Sequence, residues 1–287
     1  MAAIPEAPCT MMADLRPAAR AFDAIAPVFD ARFGAWLSVS AQRRAVRSRL
    51  LNEFPAGGRI LELGGGTGED GSFLARRGFQ VVLTDSSPAM VAIARAKLAP
   101  LGGQAEVASA EEMDEFATRH LSSGGPLFDG AFSNFSPLNC VLDLSQTALG
   151  LARLLKPGAP AMLVLFGAFC PGEMVTEMFR RRPHLVLRRL RRGQMSARLA
   201  NLNFDIVYHR RAVLQRSFAP WFVLEKRLGI GITVPPSAAE PWISQRPLLL
   251  AAMERLDRIL SRPLAVFGDH VLYQFRRTDA SPPCNSL

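Results

Sequence analysis

The sequence has few cysteines and few histidines, with four of each in 287 residues. The cysteines are far apart, the histidines are equally dispersed, and neither type forms a C-x-x-C pair or another metal-ligand spacing. A disulfide framework or a zinc site requires such spacing. We therefore predict no metal centre and interpret the thiols as buried or unreactive. The cysteines are Cys9, Cys140, Cys170 and Cys284.

Long apolar runs are also missing. The longest, Ala159–Cys170, has about 12 residues, whereas a membrane-spanning helix needs about 20. At the N-terminus, Pro5, Glu6 and Pro8 stand where a secretory signal would have a basic region followed by a continuous apolar one. We therefore predict no membrane insertion and a cytoplasmic location.

Lysine is scarce compared with arginine, and the net charge of +9 is unevenly distributed. The segment Pro171–Phe218 alone carries an excess of +8. A basic segment can bind nucleic acid, but the chain shows neither an appended RNA-binding module nor an aromatic-rich basic platform. We do not expect a nucleic-acid partner.

The arginines of this segment allow two interpretations. The guanidinium group suits a carboxylate or a phosphate, so the arginines could bind an anionic substrate. Because arginine outnumbers lysine throughout the chain, we instead interpret them as a solvated helix face. The residues in question include Arg188, Arg189, Arg191 and Arg192.

The most informative stretch is RILELGGGTGED, residues 59–70, in which a short apolar strand runs into a glycine-rich turn. The G-x-G-x-G spacing lets the backbone fold tightly and approach a ligand closely, and the next helix begins with unpaired N–H groups. A dinucleotide-binding turn would have its third glycine where this chain has Glu69. Carboxylates at Glu69 and Asp70 would repel a pyrophosphate but not a cationic sulfonium ligand.

Strand and helix signals alternate after this turn, which predicts a doubly wound α/β fold with a parallel sheet and right-handed crossovers. Two helices come first, Arg16–Phe33, kinked or divided at Pro27, and Ser40–Phe54. The predicted strands of the core are Ile60–Leu63, Gln80–Thr84, Ala105–Ala108, Leu127–Ser133 and one ending at Phe166. The helix before the last of these strands carries an apolar stripe that includes Leu144, Ala148 and Leu151.

The pattern becomes irregular beyond Gly167. We predict arginine-rich helical material, a short strand, a helix, a sixth strand, a proline-rich loop, a helix and a final strand. Their ranges are 171–203, 204–208, 213–218, 222–227, 229–247, 249–260 and 270–276. The predicted organisation is a loose tail (1–15), N-terminal helices (16–56), a cofactor-binding core (57–167), an inserted basic cap (168–210), the C-terminal part of the sheet with a helical insertion (211–277) and a tail (278–287).

Asp85 closes the second predicted strand, where a doubly wound sheet binds its ligands. A carboxylate there can accept hydrogen bonds from both hydroxyls of a ribose. Together with VVLTDSSPAM, FDGAFSNF and LLKPGAPAML, the glycine turn resembles class I S-adenosylmethionine-dependent methyltransferases of the small-molecule and quinone type. The resemblance extends over residues 59–167. It implies a Rossmann-like, mostly parallel seven-stranded sheet, an N-terminal helical lid, a cap inserted after strand five, and S-adenosyl-L-methionine as cofactor.

The resemblance also implies a set of cofactor-binding residues. Glu62 would lie near the ammonium group, the turn under the methionine moiety, Asp85 at the ribose, and Asn134 beside the methyl group and the acceptor. The others are Gly64, Gly65, Gly66, Thr67 and Gly68 in the turn, Ser86 and Met90 at the adenine, and Ser109, Ala110 and Glu111 at the adenine edge. Ser109 stands where the family usually has Asp, and Gly65 replaces a common Cys or Ala.

The stretch AFDAIAPVFD, Ala21–Asp30, resembles the lid helix of the family, with Phe29 where a Tyr is usual. Plain core packing of Phe22 and Phe29 is the alternative interpretation. The lid would place an apolar wall over the cofactor.

Methyl transfer is an in-line displacement, so alignment of the acceptor in a water-poor site provides much of the catalysis. A base is needed only if the nucleophile arrives protonated. His184, Tyr208 and His209 are candidates by position, but we interpret each as a structural residue and assign no catalytic residue.

We predict a methyltransferase that acts on an unidentified small molecule as a monomer or homodimer. An NAD(P)-dependent oxidoreductase and a non-catalytic protein that binds RNA through the basic segment are the alternatives. The stretch Ser133–Ser136 does not match the Asn-Pro-Pro-Tyr type of motif, which argues against a nucleobase or a glutamine amide as acceptor.

Overall fold

The computed structural model describes residues 15–191 and 193–282, so all but the last residue of the predicted N-terminal tail and half of the C-terminal one lie outside the described residues. The strands are β1 (Arg59–Leu63), β2 (Gln80–Asp85), β3 (Gln104–Val107), β4 (Gly130–Ser133), β5 (Pro160–Phe166), β6 (Gln194–Leu199), β7 (Leu202–Val207), β8 (Phe222–Ile230) and β9 (His270–Arg277).

The helices alternate with these strands over most of the chain. They are α1 (Pro17–Phe33), α2 (Leu37–Glu53), α3 (Glu69–Ala75), α4 (Pro88–Leu98), α5 (Met113–Ser122), α6 (Ser145–Leu154), α7 (Pro171–Phe179), α8 (Pro183–Val186), α9 (Arg211–Phe218), α10 (Glu240–Ile243) and α11 (Pro247–Leu260). No helix of the described ranges is long and apolar enough to cross a bilayer.

Seven strands form one sheet in the order β3-β2-β1-β4-β5-β9-β8. The first five run parallel, and β9 is antiparallel to both of its neighbours. The predicted Rossmann-like, mostly parallel seven-stranded sheet is confirmed. The strand order reverses beside β1, which places the ligand crevice at the carboxyl ends of β1, β2 and β4.

Each face of the sheet is covered by a separate apolar layer. Leu61 and Leu63 of β1 pack on the side of α5 and α6, whereas Ile60 packs on the side of α2 and α4. Strands buried on both faces have nearly continuous apolar sequences. This explains why β1 and β5 could be predicted from the sequence.

Several predicted boundaries are wrong. Helix α1 continues through Pro27 as one element, so Pro27 does not divide it, and the helix packs against α4 and β7. β4 begins at Gly130, and the preceding Phe128 forms only an isolated bridge with Leu155. Helix α5 was not predicted.

The largest differences lie after β5. Residues 194–199, predicted as helical, instead pair with β7 as an antiparallel hairpin. Its two-residue turn, Ala200-Asn201, has φ angles of 50° and 62°, the left-handed conformation that matches the twist of a hairpin. The predicted loop 229–247 contains the end of β8 and the short helix α10.

Candidate functional site

A cavity of about 640 Å³ lies at the carboxyl ends of β1, β2 and β4, under α1 and the β6–β7 hairpin. All the residues predicted to bind the cofactor line it except Gly68. The lining members are Glu62, Gly64, Gly65, Gly66, Thr67, Asp85, Ser86, Met90, Ser109, Ala110, Glu111 and Asn134. The fold therefore brings together segments that are up to 72 residues apart in sequence.

The glycine turn is tight at each glycine for a different reason. Gly64 has a φ of +62°, and a Cβ there would lie 2.4 Å from the Cβ of Pro137. Gly66 has a φ of +55° and donates its N–H to Asp85 Oδ2 at 2.9 Å. Gly68, with a φ of +79°, is the N-cap residue that precedes α3, and a Cβ there would lie 3.1 Å from Ala94 Cβ. Gly68 thus shapes the packing of α3 on α4 instead of the cavity wall.

Glu62 is a buried acid whose Oε2 has no hydrogen-bond partner. Burial, and then the charge of Asp70, raise the pKa of Glu62 well above its usual value. A Cβ on Gly71 would come within 2.5 Å of Glu62 Oε2, so this glycine makes room for the carboxyl group. A buried acceptor without a donor is costly in the protein alone and suits a cationic ligand.

Arg43 of α2 also lines the cavity, and sequence reasoning missed it. Its Nε is buried without a hydrogen-bond partner and lies 3.7 Å from Asp70 Oδ2. Its guanidinium carbon lies 5.0 Å from the centre of the Phe135 ring. In the sequence, Arg43 belongs to the arginine cluster of α2. Nothing in that pattern distinguishes an arginine that lines the cavity from one on the surface.

Asp85 is held by the backbone on both carboxylate oxygens. Oδ2 accepts the Gly66 N–H and Oδ1 accepts the Ser87 N–H, each at 2.9 Å. Burial raises the pKa of Asp85. Ser87 in turn caps α4 by accepting the Met90 N–H at 3.1 Å. The carboxylate is thus fixed in orientation and keeps free lone pairs toward the cavity.

Asn134 follows β4 and is oriented by Asp70. Its Nδ2 donates to Asp70 Oδ2 at 2.8 Å, and Arg47 Nε donates to Asp70 Oδ1 at 2.6 Å. The next two residues, Phe135 and Ser136, have φ angles of 58° and 66°. Consecutive left-handed non-glycine residues are strained, and such strain concentrates at functional sites.

Glu69, which also lines the cavity, forms ion pairs with Arg47 at 3.3 Å and Arg43 at 3.8 Å. Its charge is therefore partly neutralised. The predicted repulsion of a pyrophosphate at this turn is weaker than the sequence alone suggested.

The segment at the predicted adenine edge is internally bonded. Ser109 Oγ donates to Glu111 Oε2 at 2.7 Å, and Arg16 Nε lies 3.3 Å from the same oxygen. Ser109 is buried. Its hydroxyl is thus partly engaged by a neighbour within the segment.

Helix α1 covers the cavity with Phe22, Ile25, Phe29 and Phe33. Two carboxylates fasten it. Asp23 Oδ1 accepts from Ser87 Oγ at 2.7 Å and from the Ala89 N–H at 2.8 Å. At the other end of the helix, Asp30 accepts from Thr67 Oγ1 at 2.6 Å and from Lys97 Nζ at 2.5 Å. The position of α1 agrees with the lid interpretation of this stretch.

The end of the cavity beyond Asn134 is mostly apolar and aromatic. Asn139 holds it together, since its Nδ2 donates to the Val207 carbonyl at 2.6 Å and its Oδ1 accepts the Phe166 N–H at 3.0 Å. The apolar and aromatic residues that line this end of the cavity are Phe135, Leu142, Phe166, Leu199, Phe204, Ile206 and Tyr208. We call this part the aromatic end.

Comparison with known proteins identifies the architecture. Residues 36–209, more than half of the chain, match the family model described as a methyltransferase domain. The chain belongs to this methyltransferase family. No curated protein matches the sequence.

Solved structures agree on the fold of this methyltransferase. The CcbJ methyltransferase from Streptomyces caelestis has 16% identity, with 90% of this chain and 98% of that chain covered and a TM-score of 0.54. An S-adenosylmethionine-dependent methyltransferase from Mesorhizobium loti has 19% identity, with 83% and 98% covered and a TM-score of 0.50. The [4+2]-cyclase SpnF has 14% identity, with 92% and 96% covered and a TM-score of 0.55.

The predictions of a class I S-adenosylmethionine-dependent methyltransferase and of its cofactor are thereby confirmed. The site chemistry fits that cofactor, because a buried acceptor at Glu62 and a buried donor at Arg43 complement a zwitterionic amino-acid group. The oxidoreductase alternative is not favoured. The described residues contain no group of three or more His, Cys, Asp or Glu side chains arranged for a metal.

Of the three candidate bases of this methyltransferase, Tyr208 alone lines the cavity. Burial raises the pKa of Tyr208, so its phenol is protonated near neutral pH and can donate a hydrogen bond. His209 is buried, with its Nε2 2.8 Å from the Val141 carbonyl oxygen. His184 is exposed outside the cavity.

The interpretation of the arginines as a solvated face is wrong for two of them. Arg189 is buried between Glu173 at 2.5 Å and Asp269 at 2.7 Å. Arg188 lines the cavity and forms a bidentate pair with Glu173 at 2.8 and 2.9 Å. Arg191 is exposed as predicted, and Arg192 lies outside the described residues.

Proposed function

We propose that this methyltransferase transfers the methyl group of S-adenosylmethionine to a small, neutral and largely apolar molecule that binds at the aromatic end. One observation carries the proposal: a single cavity runs from the glycine turn to the aromatic end. A mostly apolar pocket with a few placed polar groups is the usual form of a small-molecule site.

For the cofactor, we propose the placement implied by the sequence with Arg43 added. Glu62 binds the ammonium group, Arg43 the carboxylate, and Asp85 the ribose hydroxyls. The glycine turn permits close approach, while Ser86, Met90 and Ser109–Glu111 border the adenine. Glu62 Oε2 and Arg43 Nε support this placement, since neither has a hydrogen-bond partner in the protein and each would gain one from the cofactor.

The neutrality of the acceptor follows from the charges around it. Arg188 and Arg198 line the cavity together with the acidic Asp205. Arg188 already has both carboxylate oxygens of Glu173 as partners, and the exposed Arg198 donates to Asn201 Oδ1 at 3.3 Å. An anionic acceptor would have to displace Glu173, which is buried and also bonded to Arg189. Breaking a buried pair is strongly unfavourable.

Catalysis depends on position and on the exclusion of water. The cofactor supplies an electrophilic methyl group on a sulfonium. The α1 side chains and the β6–β7 hairpin cover the cavity and exclude water, and Asn134, held by Asp70, marks the boundary between cofactor and acceptor. Tyr208 donates a hydrogen bond to the acceptor and orients its nucleophilic atom. A neutral amine requires no general base, because its nitrogen attacks through the lone pair and the methylated ammonium product loses its proton to solvent after release.

Methyl transfer to a panel of neutral aromatic alcohols, amines and their carboxylated analogues, with mass detection, tests the acceptor class. We expect products from neutral members only. Preference for the carboxylated analogues would overturn the proposal.

Titration with S-adenosylhomocysteine and with NADH, for the wild type and Asp85→Asn, tests the cofactor site. Light scattering on the same samples tests the prediction of a monomer or homodimer.

A further inference from the structure

Helix α7, the first helix of the cap, has its carboxylates facing inward and its large apolar side chains facing solvent. Its two carboxylates, Glu173 and Glu177, face inward and are only 5% and 4% exposed. Its large apolar side chains face solvent, with Val175 55%, Met178 60% and Phe179 86% exposed. A surface helix of a soluble protein normally has the opposite arrangement. The exposed apolar face therefore requires a covering partner.

Exposed arginines follow the apolar face in sequence, and most of them have no carboxylate partner among the described residues. The two inward carboxylates are the acidic residues of segment 171–191, so its outer surface carries no acidic side chain. Arg180, Arg181, Arg182 and Arg191 are exposed there, and among the described residues only Arg180 lies within ion-pair distance of a carboxylate, Glu177 at 3.8 Å. Leu187 and Leu190, 54% and 43% exposed, are two further exposed apolar side chains of the same segment.

We propose that segment 171–191, the cap tip, docks on the surface of an anionic phospholipid bilayer. Its apolar side chains enter the boundary between headgroups and acyl chains, and its arginines bind the lipid phosphates. Each arginine near such a surface strengthens the attraction to anionic lipid. The apolar side chains gain burial in the bilayer, which a soluble polyanion does not offer.

Two other occupants fit less well. A symmetric dimer through this face would place the same arginines of both copies opposite each other, which is repulsive. A nucleic acid would neutralise the arginines, but it offers no apolar surface for Val175 and Met178, and stacking needs aromatic platforms. The bilayer satisfies both the charge and the apolar area.

Docking would also place the aromatic end of the cavity next to the bilayer. Arg188 lies between the exposed Leu187 and Leu190 in sequence and lines the cavity. Resting on the proposed function, this deepens it: the acceptor is a lipophilic molecule that partitions into the membrane and reaches the cavity from the docked cap.

Co-sedimentation of the full chain with phosphatidylcholine vesicles, with and without a minority of phosphatidylglycerol, tests the proposal without cofactor or acceptor. We expect binding to the anionic vesicles only. Met178→Ser/Phe179→Ser should weaken it at least about tenfold, because two exposed side chains lose their insertion. Arg181→Gln/Arg182→Gln should weaken it by about tenfold or more, and added salt should do the same.

The matched control is Leu248→Ser/Ile259→Ser on α11, which removes two apolar side chains of similar exposure, 87% and 73%. It should bind vesicles as the wild type does. Equal binding by all variants, equal binding to neutral vesicles, a dimer dissociated by the Met178/Phe179 variant, or tighter salt-dependent binding of RNA would each overturn the proposal. Because no methyl transfer is measured, loss of vesicle binding leaves the proposed function untouched.

Discussion

Replacement of Glu62 by glutamine should move the stability of the free protein and its cofactor affinity in opposite directions. Glu62 is buried, its Oε2 has no partner, and Gly65 and Gly71 leave just enough room for its carboxyl group. Glutamine has the same shape but no charge. The substitution therefore tests the contribution of the charge of Glu62 alone.

The magnitude follows from the cost of an unsatisfied buried acceptor, about 1 to 3 kcal/mol, more when it is charged. Glu62→Gln should recover part of this cost and raise the melting temperature by roughly 2 to 4 °C for each kcal/mol. Under the proposed placement it also loses a charge-assisted hydrogen bond to the ammonium group, about 1.5 to 3 kcal/mol. Cofactor affinity should fall by about 10- to 150-fold.

The pH dependence has a definite sign. Because burial raises the pKa of Glu62 above its unfolded value, the folded wild type holds the proton more tightly. Its stability should decline as the pH rises from about 4.3 through the raised folded pKa. Cofactor affinity should rise over the same window, since binding requires the ionised carboxylate. Glu62→Gln should flatten both trends.

Thermal melts and calorimetric titration across pH, with Glu106→Gln as control, provide the measurement. Glu106 is exposed on β3, and its substitution should change neither quantity. A Glu62→Gln protein that is less stable than the wild type, or that binds the cofactor equally well, would show that the buried carboxylate is a structural element and refute the reasoning.

Three further substitutions separate the other roles. Gly64→Ala should lower cofactor affinity, with a stability cost of about 1 to 3 kcal/mol, because its φ is +62° and the new Cβ would overlap Pro137; calorimetric titration measures the loss. Tyr208→Phe should raise KM severalfold while kcat keeps a flat profile around neutral pH, since the raised pKa of the phenol excludes it as a base; a collapse of kcat with loss of a pH limb would contradict this. Arg189→Met should cost about 3 to 5 kcal/mol in the free energy of unfolding because two buried carboxylates lose their partner, whereas the exposed Arg191→Gln should change it by less than about 0.5 kcal/mol; denaturant titration compares the pair.

The parts that could be predicted from the sequence depend on local signals. β1, the glycine turn and Asp85 are close in sequence, and the backbone conformation of the turn requires glycine at Gly64 and Gly66. The sheet order then places Asn134 beside them, as β4 pairs with β1. These constraints explain why most of the predicted cofactor residues line one cavity.

The remaining features depend on contacts between distant segments. Arg43 lies in a helix whose arginines all look alike in sequence, and only packing against the turn gives it a different environment. The inward pairing of Arg189 needs Asp269, 80 residues away. Because the segment is rich in arginine throughout, its sequence gave no sign that Arg189 is buried. The alternation of residues in β6 was too short to be recognised as a strand.

The two carboxylates that fasten α1 have a consequence for turnover. Asp23 is bonded to the start of α4 and Asp30 to the glycine turn, so the segments proposed to hold the cofactor also hold its cover. Opening of α1 would break both attachments, and the spent cofactor would then leave as the turn relaxes. The rate at which the methyl donor is exchanged would thus depend on two aspartates that have no role in the proposed binding of the cofactor.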